Sequence, residues 1–394
     1  MTLVARTRRL DQDVDLLAVA GREGILFEQH GCGLAGRGVA QRVEGAHAVD
    51  DALAAITVDD EVGIPGTGPV AFTALPFQGD GTFVIPELVV GKTDDGTRWC
   101  TVIGSSEDEP PLLAGDAPVT SPSHFDVRAG RPPADWCDAV ARAVASMQDG
   151  ELTKVVLARE IIVEADAPID VLEVLRRLRA SYPSAFVFSI DGFIGASPEL
   201  LVSRTGDVVR SQPMAGTTPR TGDPATDQRL AASLLASAKD RAEHQITIDT
   251  VLDAVLPFCS YVDSEPEPSI VMLANVQHLA SLVEGRLSSP PASVLSLVEA
   301  LHPTPAVCGH PRGAALDAIA RLEGFDRGRY AGAVGWVDRA GNGRFAVSIR
   351  CAEVDGTRAR VIAGNGIVAD SDPVTELAET RAKLNALLSA LVRP

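Results

Sequence analysis

The sequence predicts an α+β fold, and three observations support this prediction. Apolar segments punctuated by glycine occupy the first hundred residues, as in antiparallel strands. Further β-branched segments and a hairpin turn follow in the middle of the chain. Helical stretches are interleaved irregularly with both groups. A doubly wound parallel sheet is therefore not expected, because that fold alternates strands and helices regularly.

In the first part of the chain, segments 24–27 and 70–72 are predicted strands, so the first third is expected to be β-rich. Residues 105–133 are rich in proline and carry an acidic patch at 107–111, which predicts a connector or a long surface loop. A helix is predicted after it, ending near Gly150. Its apolar residues at helical spacing are Trp136, Val140, Ala143, Val144 and Met147.

The later strands are indicated by β-branched and apolar segments. Residues 154–163 predict a pair of strands. Segments 185–190 and 193–195 predict a hairpin around the turn Asp191-Gly192. Further strands are expected at 331–336, 344–350 and 360–362.

Two long helices are predicted in the second half. One runs from Asp227 to Leu256, and the last begins at Asp372-Pro373, because aspartate is a favoured N-cap and proline a favoured first helical residue. Apolar residues expected at inner positions of the first are Leu230, Leu234, Ile246 and Leu256.

The composition restricts the partners of the chain. Its 394 residues include 53 acidic and 35 basic side chains, for a formal net charge of −18. Such a surface repels nucleic acid and anionic lipid, so neither is expected as a partner. No apolar run approaches the roughly 20 residues that a membrane span requires. The basic residues at 6–9 are not followed by the apolar stretch of a signal peptide, so a cytoplasmic protein is expected. A small anionic ligand needs local positive charge or a bound cation.

Six cysteines are scattered through the chain without the spacing of a zinc site. We expect them to be reduced and mostly buried, rather than joined in a disulfide framework, because a chain of this length can stabilise itself by burial. They are Cys32, Cys100, Cys137, Cys259, Cys308 and Cys351.

One glycine-rich segment, GCGLAG at 31–36, matches the dinucleotide-binding pattern GxGxxG. Gly38 continues the glycine run where a helix has to begin, so a hairpin turn is the preferred interpretation. A dinucleotide-dependent oxidoreductase is the alternative.

Two predicted helices each carry acidic side chains on one face. Asp240 and Glu243 are three residues apart, and Glu376, Glu379 and Lys383 fall at i, i+3 and i+7. Such stripes are often solvated faces with weak surface ion pairs. If the two stripes face one another, their repulsion requires a divalent cation, and hard oxygen ligands favour Mg²⁺.

The segment AGNGIV at 363–368 precedes the last helix and is interpreted as a glycine-flanked turn. Its small residues let backbone N–H groups approach an anionic ligand closely. A metal ion nearby then supplies the positive charge that an acidic protein lacks.

Six motifs occur in a fixed order: KVVLAR at 154–159, GASPEL at 195–200, PMAGT at 213–217, DRAEH at 240–244, HPTPAVCG at 302–309 and AGNGI at 363–367. Together they resemble the chorismate-utilising enzymes, most closely the isochorismate synthases, over roughly the last two thirds of the chain. The resemblance implies a large antiparallel β core flanked by helices, as in anthranilate synthase component I. It also implies one domain over 1–394, with a β-rich part at 1–104, a connector at 105–133 and a motif-bearing part at 134–394.

The resemblance implies isomerisation of chorismate to isochorismate, in which water adds at ring carbon 2, the 4-hydroxyl leaves and Mg²⁺ holds the ring carboxylate. Such a reaction needs a base and an acid. The base of the family falls on Lys154, and the acid falls on Glu199, whose carboxyl has to hold its proton near neutral pH. Without the resemblance, Lys154 is an edge or surface lysine and Glu199 an ordinary loop acid. Anthranilate synthases that use ammonia lack this lysine, so Lys154 favours water as the nucleophile.

The same resemblance implies the ligand contacts. Glu243 and Glu379 are the expected direct Mg²⁺ ligands, with Asp240 and Glu376 alongside through water. Arg350, at the end of a predicted strand, is expected to clamp the enolpyruvyl carboxylate, which suits a planar guanidinium. On residue type alone, it is a surface arginine. The other expected substrate-binding residues are Tyr330, Gly364, Gly366, Lys383, Ala306, Gly216, Thr217 and His278.

Product choice depends on one position. Salicylate synthases, which go on to eliminate pyruvate, typically have threonine where this chain has Ala306, so isochorismate is the expected product and salicylate synthase the alternative. A further alternative is a non-catalytic relative that only binds chorismate or Mg²⁺. Such a protein needs neither Lys154 nor Glu199, so the presence of both residues argues against this alternative. Asn365 stands where many relatives have alanine.

The sequence does not distinguish siderophore from menaquinone biosynthesis as the pathway that uses the product. A monomer is expected, because the sequence has no large apolar surface segment.

Overall fold

The computed structural model of the chain describes residues 3–104, 112–113, 115, 119–273 and 276–393. These residues form nine α-helices and a 3₁₀ helix at Leu256–Phe258. The α-helices are α1 (Leu16–Ala20), α2 (Ala46–Ala55), α3 (Pro133–Gln148), α4 (Val171–Ser181), α5 (Pro224–Ala236), α6 (Ala238–Val255), α7 (Val294–Leu301), α8 (Arg312–Leu322) and α9 (Pro373–Leu391).

The same residues form 25 β-strands. Those before residue 105 are β1 (Val4–Arg9), β2 (Ile25–Gln29), β3 (Cys32–Arg37), β4 (Gln41–Glu44), β5 (Thr57–Asp60), β6 (Val70–Ala74), β7 (Thr82–Ile85), β8 (Leu88–Lys92) and β9 (Arg98–Gly104). The others are β10 (Phe125–Ala129), β11 (Lys154–Ala165), β12 (Phe186–Ile190), β13 (Phe193–Ser197), β14 (Leu200–Thr205), β15 (Val208–Gln212), β16 (Met214–Pro219), β17 (Cys259–Ser264), β18 (Ser269–Met272), β19 (Val276–Ala280), β20 (Val283–Leu287), β21 (Gly309–His310), β22 (Ala333–Asp338), β23 (Gly343–Val347), β24 (Cys351–Asp355) and β25 (Arg358–Ile367).

Three sheets contain these strands. The largest, of 13 strands, has the order β10-β11-β25-β24-β13-β12-β2-β3-β8-β9-β1-β5, with β21 paired to β11. The second, of nine strands, has the order β17-β20-β15-β14-β23-β22-β6-β7-β4, and β16-β19-β18 form the third. Among the described strands, every pair is antiparallel except β1 with β5. The predicted α+β fold class is confirmed.

Apolar side chains pack in two layers. One cluster joins the two large sheets, with Phe27 and Phe188 from the larger sheet and Phe72 and Phe345 from the smaller. The second cluster lies on the other face of the larger sheet, beneath α1, α4 and α9. Neighbouring residues of a strand point to opposite faces, so Val187 belongs to the second cluster and Phe188 to the first. The larger sheet is therefore buried on both faces.

Several local predictions are confirmed. The β12–β13 hairpin turns at Asp191 and Gly192, whose φ angles of +47° and +71° suit a tight hairpin turn. Helix α3 ends at Gln148, and Gly150 follows with φ +80°. Asp372 caps α9 by accepting a hydrogen bond from Thr375 N at 2.8 Å. The GCGLAG segment forms the β2–β3 turn and strand β3, as the hairpin interpretation predicts.

The strand pair predicted at 154–163 is wrong, because these residues form part of the single strand β11. The polar residues 159–160 do not interrupt it, since both have partners on neighbouring elements. Glu160 pairs with Arg360 of β25 at 2.6 Å. Arg159 Nη1 donates to Thr380 Oγ1 of α9 at 3.3 Å.

The helix predicted from Asp227 to Leu256 is two helices, α5 and α6, divided at Ser237. Ser237 has an extended backbone and caps α6 by accepting a hydrogen bond from Asp240 N at 3.2 Å. Because α6 starts anew at Ala238, its residues need not continue the buried face predicted for a single helix. Leu234 is buried and Leu230 half-buried, but Ile246 is 43% exposed and Leu256 is 56% exposed, so the prediction that both lie inside is wrong.

Three further segments differ from prediction. The turn predicted at 363–368 is wrong, because residues 363–367 complete β25 and pair with β11. The strand predicted over 344–350 ends at Val347, and Arg350 lies in the link to β24 with φ +53°, which is uncommon for a residue other than glycine. Within the predicted connector, β10 occupies 125–129. The acidic patch at 107–111 lies outside the described residues.

All six cysteines are free. Only Cys308 and Cys351 are buried, so the expectation that most are buried is wrong. No helix among the described residues is both long enough and apolar enough to cross a membrane.

Candidate active site

One cavity of about 480 Å³ is lined by residues of β11, β25, β16, β19, α6 and α9, together with the links around 198 and 350. It brings together every residue that the sequence predicts for catalysis, substrate binding or metal binding. These are Lys154, Glu199, Gly216, Thr217, Asp240, Glu243, His278, Ala306, Tyr330, Arg350, Gly364, Gly366, Glu376, Glu379 and Lys383.

Lys154 is the first residue of β11, and its side chain is 11% exposed. Its Nζ lies 2.5 Å from Glu243 Oε1 on α6. The neighbouring strand leaves room for the lysine because it has glycine at 366, where an added Cβ would lie 2.8 Å from Lys154 Cε. The AGNGI motif therefore shapes the cavity as part of a strand rather than as a turn.

Glu199 lies between β13 and β14 and is 4% exposed. Burial raises the pKa of its carboxyl to about 7, although a hydrogen bond from the Met214 backbone and the charges of Lys154 and Arg350 oppose the shift. A large fraction of these carboxyls therefore holds a proton near neutral pH. A carboxyl that holds its proton near neutral pH is the property expected of Glu199 as the catalytic acid.

Arg350 presents a half-buried cation to the cavity. Among the described residues, no side chain or carbonyl forms an ion pair or hydrogen bond with its guanidinium. Burial lowers the pKa of Arg350 from its ordinary value, but a guanidinium stays charged at neutral pH. Tyr330 also lines the cavity, and burial raises the pKa of its phenol, which keeps it neutral. An unpaired guanidinium with five donors is a receptor for a carboxylate.

Helices α6 and α9 bring their acidic faces to this one cavity. Asp240 lies in the first turn of α6 and Glu243 one turn later, while Glu376 and Glu379 come from the start of α9. Glu379 Oε1 lies 2.7 Å from Lys383 Nζ. Both acidic stripes therefore line one cavity with half-buried side chains, and their role as metal ligands stays a prediction.

His278 of β19 is held by the neighbouring strand β16. Its Nδ1 lies 3.2 Å from the Gly216 carbonyl oxygen and 3.0 Å from Thr217 Oγ1. A carbonyl oxygen only accepts, so we assign the proton to Nδ1, which leaves Nε2 as an acceptor. Burial lowers the pKa of the imidazole to about 3, so the ring is neutral.

Five charged or polar residues of the cavity were not predicted as site residues, namely Lys239, Asp370, Ser371, Asp372 and Thr375. Lys239 precedes the DRAEH motif, and the other four surround the start of the last helix, so adjacency to those features was the available signal. In all, seven carboxylates and four lysine or arginine side chains line the cavity. An anionic ligand therefore meets an excess of negative charge unless a cation accompanies it.

The donor set suits a hard divalent cation. In the part of the chain that the structure describes, no three His, Cys, Asp or Glu side chains are already grouped closely enough to hold an ion. Four carboxylates from α6 and α9 nevertheless share the cavity, and Glu243 and Glu379 each use only one oxygen for a lysine. Carboxylate oxygens are the ligands that Mg²⁺ prefers in proteins.

A family model described as "Chorismate binding enzyme" matches residues 73–392. The chain belongs to this family. Among related chorismate binding enzymes, the isochorismate synthase DhbC of Bacillus subtilis is 39% identical to this chain over 336 residues, covering 82% of this chain and 81% of the relative. The similarity thus extends over most of both proteins.

Two solved structures share the fold. A putative 2,3-dihydroxybenzoate-specific isochorismate synthase, DhbC, of Bacillus anthracis is 33% identical, with a TM-score of 0.81 over 95% of this chain and 98% of that chain. Anthranilate synthase component I of Streptococcus pneumoniae, at 23% identity, has a TM-score of 0.72 over 97% of this chain and 92% of that chain. The predicted likeness to the anthranilate synthase component I fold is confirmed.

Proposed function

We propose that this chorismate binding enzyme is an isochorismate synthase, which converts chorismate to isochorismate. The observation that carries the proposal is the presence of Lys154 and a Glu199 carboxyl with a pKa of about 7 in one cavity. Together they supply the base and the acid that a hydroxyl transposition needs. The similarity to the isochorismate synthase of Bacillus subtilis supports the same reaction.

In the proposed reaction, Lys154 first releases to solvent the proton that it holds in the ion pair with Glu243. Its uncharged amine then accepts a proton from a water molecule whose oxygen bonds to ring carbon 2. The ring double bond shifts, and the bond between carbon 4 and its hydroxyl oxygen breaks. Glu199 donates its proton to that hydroxyl, which leaves as water. One water is consumed and one is released, while Lys154 ends protonated and Glu199 ionised. Glu199 then regains a proton from solvent, which returns both residues to their starting states.

Arg350 is the proposed receptor for the enolpyruvyl carboxylate, because its half-buried side chain lines the cavity and its guanidinium has no partner among the described residues. Tyr330, Lys383 and the backbone of Gly364 and Gly366 line the cavity and complete the proposed contacts. Nε2 of His278 is placed in this scheme as an acceptor for a substrate hydroxyl. These groups fix the ring so that its reacting carbons meet the acid and the base.

We further propose Mg²⁺ as the cofactor. Glu243 and Glu379 are the proposed direct ligands, and Asp240 and Glu376 the proposed ligands through water. When bound, Mg²⁺ supplies positive charge beside the seven carboxylates of the cavity and holds a substrate carboxylate. This removes the conflict between an acidic cavity and an anionic substrate.

Isochorismate is the proposed final product, because Ala306 lines the cavity where salicylate synthases typically have threonine. All the proposed site residues belong to one chain, so a monomer is sufficient for the reaction. The monomeric state and the cytoplasmic location stay predictions.

The test is a product analysis. Purified protein is incubated with chorismate and Mg²⁺, with and without EDTA, and the products are separated by chromatography. Isochorismate as the main product, lost with EDTA, is expected. Salicylate with pyruvate would replace the proposal by the salicylate synthase alternative, and unchanged chorismate in the presence of Mg²⁺ would contradict both.

A further inference from the structure

Asn365 is buried in β25, with 1% of its surface exposed, and each polar group of its side-chain amide is paired. Its Nδ2 donates to the Glu376 carbonyl oxygen at 2.9 Å and to Glu376 Oε2 at 3.0 Å. Its Oδ1 accepts from Lys383 Nζ at 2.7 Å. Lysine only donates, and both Glu376 groups only accept, so this is the one amide orientation that satisfies all three contacts.

The Glu376 carboxylate is held at both oxygens. Oε1 accepts from Ser371 Oγ at 2.7 Å, and Oε2 accepts from Asn365. Both donors are neutral, so they orient the carboxylate without cancelling its charge. Each oxygen can still accept another hydrogen bond, for example from a water bound to a metal ion.

The Lys383 ammonium is held by the same amide. It also donates to the Gly364 carbonyl oxygen at 3.1 Å and pairs with Glu379 at 2.7 Å. Three acceptors fix its position at the wall of the cavity. Asn365 is the group that joins this cation to the Glu376 carboxylate, although its own side chain is not among the residues that line the cavity.

We propose that Asn365 is a positioning residue that couples the Mg²⁺ site to the substrate site by holding Glu376 and Lys383 in one hydrogen-bonded unit. The inference rests on the proposed function, in which Glu376 serves the metal ion and Lys383 the substrate. Loss of the amide releases both side chains, and both ligands then bind more weakly.

The test measures Mg²⁺ and substrate affinity separately. Asn365→Leu removes all three hydrogen bonds at similar side-chain volume, and Asn365→Ala is a second variant in case the first folds poorly. Mg²⁺ binding is measured by titration calorimetry without chorismate, and KM is measured at saturating Mg²⁺. We expect both the Mg²⁺ Kd and the KM for chorismate to rise on the order of tenfold, as for a lost hydrogen bond to a charged group. The decrease in kcat is expected to be smaller.

Ser371→Ala is the matched comparison, because Ser371 donates to Glu376 but has no contact with Lys383. It is expected to weaken Mg²⁺ binding but to change the KM at saturating Mg²⁺ less than the Asn365 variants do. The inference is overturned if both Asn365 variants keep the wild-type Mg²⁺ Kd and the wild-type KM. A lower melting temperature alone does not support it, because loss of a purely structural residue lowers only the melting temperature. The proposed function then still stands on the product analysis of the wild-type chain. A wild-type chain that binds no Mg²⁺ overturns this inference together with the proposed cofactor.

Discussion

Lys154 Nζ lies 2.5 Å from Glu243 Oε1, so the proposed base and a proposed metal ligand form one ion pair. The pair joins the first residue of β11 to α6, across 89 positions of sequence. The lysine side chain is 11% exposed and the glutamate side chain 27% exposed, so the pair is largely shielded from solvent. A change to either residue therefore alters the surroundings of the other.

Replacement of Lys154 by alanine is expected to lower kcat by about 10²–10⁴, the usual contribution of a general base. Lys154→Arg is the more informative variant, because arginine can keep the ion pair with Glu243 but cannot lose its proton. Steady-state turnover with chorismate and Mg²⁺ is measured for both, and circular dichroism checks the fold. If Lys154→Arg turns over at the wild-type rate, Lys154 is not the base.

Glu199 is expected to make the chain less stable as the pH rises. Its pKa of about 7 in the folded chain lies above its ordinary value of 4.5. Between these two values the folded chain binds a proton that the unfolded chain has released, so the free energy of unfolding falls with rising pH. Glu199→Gln has no carboxyl at this position, so its free energy of unfolding does not fall for this reason. The difference in free energy of unfolding between Glu199→Gln and wild type is therefore expected to shift in favour of the variant by on the order of 3 kcal/mol from about pH 5 to about pH 8. Denaturant titrations at both pH values measure the difference, and a constant difference would contradict the raised pKa.

The same Glu199→Gln variant is expected to lose most of its turnover, by about 10² or more, since an amide cannot act as a general acid. Glu28→Gln is the control, because Glu28 is also buried, burial also raises its pKa, and it does not line the cavity. Glu28→Gln is expected to keep wild-type turnover. Equal activity in the two variants at neutral pH would remove Glu199 from its proposed role.

Arg350→Lys is expected to raise the KM for chorismate on the order of tenfold or more, because an ammonium cannot make the paired hydrogen bonds of a guanidinium to a carboxylate. Arg344→Lys, on β23 and outside the cavity lining, is the control. Initial rates over a range of chorismate concentrations give both constants. A KM unchanged by Arg350→Lys would show that the carboxylate binds elsewhere.

Glu243→Gln is expected to weaken Mg²⁺ binding on the order of tenfold or more, because the amide offers the ion a neutral oxygen in place of a carboxylate. Asp249→Asn removes one charge from the exposed side of the same helix and controls for the change in net charge. Titration calorimetry with Mg²⁺ gives both dissociation constants. Equal dissociation constants for the two variants would place the ion away from Glu243.

Local patterns predicted those parts of the fold that depend on neighbouring residues. The Asp191-Gly192 turn and the Asp372 cap are encoded within a few positions of sequence. The continuity of β11 was not predictable in this way, because Glu160 is paired by Arg360, 200 positions later. The break at Ser237 has a local cap, but the register that leaves Ile246 exposed depends on what α6 packs against.

Part of the cavity was predicted through the six motifs, whereas Glu376, Glu379 and Lys383 were predicted from their spacing on the last helix and from the family resemblance. Neither signal indicated how Glu376 and Lys383 are held. Asn365 reaches them from another element, 11 and 18 positions away in sequence, and hydrogen-bond geometry between a strand and a helix is not encoded in either segment alone. The raised pKa of Glu199 likewise depends on burial by distant residues.

In the proposed reaction, solvent water activated by Lys154 becomes the new hydroxyl at ring carbon 2. A reaction in H₂¹⁸O, followed by mass spectrometry of the isochorismate formed, tests it most directly. We expect isochorismate that carries ¹⁸O at carbon 2 in every molecule formed in labelled water. Isochorismate without the label would mean that the original hydroxyl migrates within the ring, and the acid and base roles assigned to Glu199 and Lys154 would then be wrong.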